Sequence, residues 1–293
     1  MKKILIGTMN PADQDCVKNL KKLIDLGFES FTLHYWQQFN GVDPEKLAAE
    51  VFPIVKEAGV KISAISLFGN PLLENEEGEV ARNCFIRLID SAKDFGCDIV
   101  SGFTGRLIDV PVPENIERFK AVWTPLAERA AEKGVRIAWE NCHMGGNWLT
   151  GNWNIAHNPD AWELMFDALP MENVGLEWEP CHQLVQLIQP LPQIREWKKR
   201  IFHIHGKDAT VRWDLISRHG IGGSERFSWH RTPGFGDSNW VDIISELRFV
   251  GYEGAIDIEG WHDPVYKKHL EMTGQVHALK YLKECRGGEF IEF

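Results

Sequence analysis

Short apolar runs alternate along this chain with longer stretches in which apolar residues recur every three or four positions. Runs of four to eight apolar residues read as buried strands, and the 3.6-residue rhythm reads as amphipathic helices. The first strand is expected over residues 2–9. A helix capped by Asp13 or Asp15 follows to Leu26, where Gly27 stops it. The second strand spans 28–35, and Asp43-Pro44 opens a helix that ends at Gly59. Strand three covers 61–67, helix three 79–95 up to Gly96, and strand four 98–102. A fourth helix runs over 113–133 and ends at Gly134; Pro125 within it predicts a kink or an early break. Strand five covers 135–140.

The second half keeps the rhythm. Asn158-Pro159 opens helix five, strand six covers 174–179, and a short helix covers 190–199. Strand seven is 201–208, helix seven 239–250, and strand eight 254–259. Asp263-Pro264 is expected to open a last helix reaching Cys285. Glycines 27, 59, 96, 134 and 251 hold the same place in five units. Eight strand–helix units in 293 residues fit an α/β fold, a single (β/α)₈ barrel occupying residues 1–293 as one domain. A doubly wound open sheet is the competitor, but no GxGxxG follows the first strand. Two connections exceed simple turns, 141–157 after strand five and 209–238 after strand seven. Loops longer than about 12–15 residues in a compact domain are usually functional or disordered. Their tryptophans favour walls or lids of a pocket on the face where barrel active sites sit.

Composition narrows the function. The formal charge of −10 opposes binding to nucleic acid or to an anionic membrane surface. No segment is long and apolar enough to span a bilayer, and the N-terminal run is too short for a signal-peptide core. The six cysteines contain no CxxC pair and read as reduced thiols of a cytoplasmic protein.

The candidate chemistry starts in Ile201-Phe-His-Ile-His-Gly-Lys-Asp208. Alternation along a strand puts His203, His205 and Lys207 on one face, where buried polar groups need partners. Strands five, six and eight each end in a carboxylate: Glu140, Glu179 and Glu259. Adjacent strands lie about 4.8 Å apart, so Glu140, Glu179, His205 and Glu259 can reach one ion. Three carboxylates and one imidazole favour Mn²⁺, with Mg²⁺, Co²⁺ or Zn²⁺ as alternatives. A dication would also keep clustered carboxylates ionised. For each residue taken singly, a buried ion pair is the competing explanation.

Glu140-Asn141, Glu179-Pro-Cys-His182, His203-Ile-His205-Gly-Lys207-Asp208 and Ile258-Glu259 resemble the motifs of the xylose-isomerase-like TIM-barrel superfamily of sugar phosphate isomerases and epimerases. The resemblance implies a metal held by Glu140, Glu179, His205 and Glu259. The second ligand of that family is usually Asp-x-x-His, one methylene shorter than Glu179 here, so Glu177 on the same strand face is the alternative ligand. It also implies that Glu140 and Glu259 transfer protons on either face of a sugar, next to a carbonyl, through a metal-stabilised enediolate. Return of the proton gives an isomerase or epimerase. The segment Glu140-Asn-Cys-His143 is also similar to lyases of 3-keto-glycosides, including C-glycoside deglycosidases, in which a base starts elimination of the aglycone. His143 is the candidate extra base there, or a loop residue bonding backbone. An endonuclease IV-like phosphodiesterase and a non-catalytic sugar-binding barrel are the remaining alternatives.

Substrate-contact candidates are His182, His34, Lys207, Arg231, Trp36 and Trp261. His182 can equally serve Glu179, His203 reads as a packed core histidine, and Lys207 can pair with Asp208. Tryptophans 36, 148, 153, 213, 229, 240 and 261 fall at strand ends or in the long loops and suit sugar rings or an aglycone. Arg106, Arg212 and Arg231 are loop cations, but no glycine-rich phosphate cradle accompanies them. The expected partner is therefore a small unphosphorylated sugar or glycoside, with a homo-oligomer or a small partner subunit also open.

Overall fold

A computed structural model describes residues 3–288 and 291; Lys2, included in the first expected strand, lies outside them. The chain begins β1 (Leu5–Pro11), α1 (Cys16–Asp25), β2 (Ser30–Trp36), α2 (Pro44–Ala58), β3 (Lys61–Phe68) and α3 (Glu76–Ser91). It continues β4 (Ile99–Gly102), α4 (Ile116–Glu132), β5 (Arg136–Glu140), α5 (Pro159–Ala168) and β6 (Val174–Trp178). Then come α6 (Pro180–Leu184), α7 (Pro190–Glu196), β7 (Ile201–Gly206), β8 (Asp208–Val211) and α8 (Trp213–His219). The last elements are β9 (Ser228–Arg231), α9 (Trp240–Phe249), β10 (Ala255–Ile258) and α10 (Glu271–Cys285).

Two compact units divide the chain. The first takes Met9–Trp178 and Lys199–Ile204; the second takes the chain up to Thr8, Glu179–Lys198 and everything from His205 on. Strands β1 and β7 run from one unit into the other. Inside the first unit β2 to β6 pair in parallel in sequence order, and β6 pairs with β7 through Glu177↔His203. Inside the second, β1 pairs with β10, and the Glu259 amide donates to the Gly206 carbonyl at 3.1 Å. The strand order β1-β10-β7-β6-β5-β4-β3-β2 closes on itself as an eight-stranded parallel barrel with helices in the crossovers, as the rhythm of the sequence predicts.

The helices start where their side chains satisfy the first free amides. Asp43, Asn75 and Asn158 accept from the amides of Lys46, Gly78 and Ala161 at 3.1, 3.2 and 2.9 Å. Gly59 ends α2 at φ 70°, and Gly96, at φ 71°, ends the 3₁₀ turn Ala92–Phe95 that follows α3; both lie in a region that favours glycine. In the first unit Trp123, Trp139 and Trp162 are fully buried, and Trp123 meets Trp139 edge-on at 5.2 Å. Trp123 and Trp162 donate their indole N–H groups to the carbonyls of Thr104 and Ala156.

Several expectations need correction. α4 passes through Pro125 without a break. The last helix starts at Glu271, because the Asp263 carboxylate takes the amides of Val265 and Tyr266 at 2.8 and 2.9 Å and folds that segment into a turn. Strand seven ends at Gly206; Asp208–Val211 instead pairs antiparallel with Ser228–Arg231. The connection after strand seven is thus a hairpin with a helix inside it. Among the described residues no helix is long and apolar enough to cross a membrane, and the six cysteines are free thiols.

Candidate functional site

In the second unit three predicted donors converge. Glu179 follows β6 in extended conformation, His205 lies near the end of β7, and Glu259 follows β10. Their exposures are 0, 0 and 6 %. The His205 Nδ1 atom is 3.9 Å from Glu179 Oε2 and 3.5 Å from Glu259 Oε2. Lys207 Nζ donates to the other Glu259 oxygen at 2.6 Å. The register makes that pair: the Glu259 amide bonds to Gly206, so the residue just past β7 meets the Glu259 side chain. A Cβ at Gly206 would come within 3.1 Å of Ile256 and 3.3 Å of the Ile258 backbone, so glycine lets β10 approach.

Burial alone would push the Glu259 carboxyl up. Lys207, His205 and His230 outweigh it and hold the group below the ordinary carboxylate value. His182 Nε2 contacts Glu179 Oε1, one helical turn on, which is the positioning role that competed with substrate contact. Lys207 does not pair with Asp208. The Asp208 carboxylate accepts from the amides of Ala209 and Ser238 and from the Trp240 indole, at 2.8, 2.9 and 3.2 Å. Burial pushes its pKa up to about 6, although those bonds pull it down. Trp240 is therefore core rather than pocket wall. Arg231 is tied to Asp263 at 3.2 Å, and Trp261 is partly buried just beyond β10.

His230 on β9 had no role in the sequence reading. Its ring lies 5.1 Å from His182, edge-on, and 5.7 Å from His262. Donor atoms of Cys181, His182 and His230 all fall within 4.8 Å of one another. The signal was the Trp229-His230-Arg231 run, but it counts as a strand only once its partner β8 is known.

In the first unit Glu140 ends β5, is 4 % exposed and stands in register with Glu177. Glu177 Oε1 lies 3.0 Å from His203 Nδ1, and His203 Nε2 lies 3.4 Å from the Thr32 hydroxyl. His203 is thus the packed, polar-partnered core histidine expected. Asn154 holds the segment after β5: its Nδ2 donates to the carbonyls of Glu140 and Cys142 at 2.8 and 2.7 Å. His143 is half-buried beyond that point, and its carbonyl accepts from Gly146 at 2.7 Å. Arg106 is no solvent-facing cation. It is fully buried, and its guanidinium donates to the carbonyls of Val110 and Asn147, joining the connections after β4 and β5. His34, near the end of β2, is buried with its ring 6.0 Å from Phe68; Trp36 beside it is 46 % exposed.

Two buried carboxylates flanking an imidazole suit a divalent cation of the Mn²⁺, Mg²⁺ or Zn²⁺ kind. The Glu259 Oε2 atom is buried and accepts no hydrogen bond, as a ligand atom would be. The residues present fit such an ion.

The profile of the xylose isomerase-like TIM barrels matches residues 20–285. An uncharacterized protein of Bacillus subtilis (strain 168), YfiH, is 25% identical over 252 residues, covering 77% of this chain and 79% of its own. An inosose dehydratase of Bacillus cereus (strain AH820) is 25% identical over 219 residues, 69% of this chain and 70% of its own. The crystal structure of 3-keto-D-glucoside 4-epimerase, YcjR, from E. coli superposes with a TM-score of 0.72 at 14% identity. It covers 97% of this chain and 100% of that one, a likeness that shows the fold.

Proposed function

The chain belongs to the xylose isomerase-like TIM barrel family, and from that premise we propose that it is a metal-dependent enzyme that removes the proton next to the carbonyl of an unphosphorylated keto-sugar and returns it as an isomerase or epimerase. The observation that carries this reading is the buried meeting of Glu179, His205 and Glu259, with Lys207 on the far oxygen of Glu259. Glu179, His205 and Glu259, with Glu140 as the fourth ligand, would hold the divalent ion. Bound there, the ion would supply polarisation of the substrate carbonyl and hydroxyl.

The chain's own groups do the rest. Glu140 and Glu259 exchange the proton, one on each face of the substrate. Lys207 orients the Glu259 carboxylate, and His182 fixes the rotamer of Glu179. A general base in this position contributes about 10²–10⁴-fold. His34, Trp36, Arg231 and Trp261 are assigned to substrate contact, and His143 is the candidate extra base in the elimination reading below. The acidic chain and the absence of a phosphate cradle support a neutral substrate.

A second reading is elimination, in which loss of the same proton expels water or an aglycone from the neighbouring carbon. The resemblance to an inosose dehydratase favours it. Incubation of Mn²⁺-supplemented protein with keto-sugars and 3-keto-glycosides in deuterated water tests both. Deuterium at one carbon of recovered sugar supports isomerase or epimerase chemistry. An unsaturated product or free aglycone supports elimination. No deuterium in any substrate or product rejects the proposal.

A further inference from the structure

A cavity lies entirely within the first unit, on the side where β2 and β3 end. Its volume is about 460 Å³, inside the range of roughly 300–1,000 Å³ typical of small-molecule pockets. Gly69, Asn70 and Ala81 line it with Trp153 from the connection after β5, and Gln37, Gln38 and Asn152 add amides. Trp36 faces Trp153 with ring centroids 5.8 Å apart, although both lie outside the apolar core.

This pocket is constructed rather than left over. Gln37 holds φ 61°, a left-handed conformation that a glutamine adopts only under constraint, and its amide is fixed to the Phe68 carbonyl at 3.1 Å. A Cβ at Gly69 would come within 3.3 Å of Ala81 Cβ and 3.4 Å of the Gln37 carbonyl, so glycine spares that wall a tight contact. Asn70 spends its side chain on structure: it donates to Arg106 and Asn152 carbonyls at 2.7 and 2.8 Å and accepts from the Arg106 amide at 2.9 Å. The connection that carries Trp153 is thereby held against the cavity.

The lining also states what it refuses. Among the described residues it includes no lysine, arginine or histidine, while Glu76 and Glu77 sit on its rim. Glu76 and Glu77 are thus the charged residues of the described lining, and they disfavour a phosphate or carboxylate there. An indole flanked by primary amides instead matches a ring that carries both apolar C–H groups and hydroxyls.

We propose that the cavity bounded by Gln38, Gly69 and Trp153 binds an uncharged sugar ring. Saturation-transfer NMR on the full chain dialysed against chelator would use cellobiose, maltose, D-glucose and glucose 6-phosphate as probes. Trp153→Ala and the exposed Gln38→Ala would be compared with wild type, with circular dichroism confirming their fold. A disaccharide should bind with protection of its terminal ring, glucose 6-phosphate should not, and Trp153→Ala should weaken binding about tenfold, as loss of an aromatic anchor does. Gln38→Ala should weaken it by a smaller factor. Failure of both disaccharides to bind, equal binding of the phosphate, or wild-type affinity in both variants would overturn the proposal. Because the protein is metal-free here, disaccharide binding without any deuterium exchange would sink the reaction and leave this pocket standing. Exchange without disaccharide binding would do the reverse.

Discussion

Glu259 holds two relationships at once: one oxygen takes the Lys207 ammonium at 2.6 Å, and the other faces His205 at 3.5 Å. Both members of the Lys207–Glu259 pair are buried, so removing one partner strands the other. Lys207→Met is expected to cost about 3–5 kcal/mol, seen as a lower urea midpoint. Pairing it with Glu259→Gln should recover part of that loss, which a double-mutant cycle reads directly. Glu259→Gln alone should lower kcat by about 10²-fold or more with an unchanged circular dichroism spectrum. Asp208 gives a separate test. Its folded pKa of about 6 lies above the ordinary 3.8, so the native state holds that proton more tightly than the unfolded chain. The resulting stabilisation is fully present below pH 3.8 and is lost as pH rises through about 6. Two units correspond to at most about 3 kcal/mol. Asp208→Asn should therefore flatten the slope of urea stability between pH 4 and 6.5, and a slope equal to wild type would contradict the assignment.

Among the elements, the strand ends were legible because short apolar runs stop at carboxylates and histidines. The connections were not. Residues 209–238 look like one glycine-rich loop, yet the structure builds β8, α8 and β9 there, and the hairpin brings His230 beside His182. Its pairing partners are some twenty residues apart, with no two-residue turn signal between them. The connection after β5 depends on Asn154, which bonds the carbonyls of Glu140 and Cys142 and accepts from the Thr104 amide at 3.1 Å. Asn154→Ala should leave buried groups unpaired and cost roughly 1–3 kcal/mol. Amide hydrogen exchange should quicken across residues 141–157 in that variant while β1 and β10 stay protected.

For the whole molecule, an ion that binds only the folded chain must stabilise it. At a hundredfold excess over Kd the gain is about 2.7 kcal/mol, which raises Tm by several degrees in a chain of this size. Mn²⁺ is expected to raise Tm in wild type and not in His205→Ala, as scanning calorimetry would show. An equal rise in both would place the ion elsewhere.

The eight-fold recurrence of strand and helix, the glycine that closes five of those units, and the donors at the strand ends were already determined by the sequence, because periodicity and glycine placement are local properties of the backbone. Local chemistry also put His203 and His205 on one strand face, with Lys207 just past its end. Which partner each acquires was settled only in three dimensions. Lys207 is adjacent to Asp208 along the chain but meets Glu259, 52 residues away, because β7 and β10 are hydrogen-bonded neighbours. Asp263 could cap a helix by composition, but its carboxylate is taken by amides from its own turn and from Thr232 at 2.8 Å. Arg106 reads as a surface cation until the carbonyls that surround it are known. Side-chain partnership depends on strand register and loop path, and those follow from packing the chain as a whole.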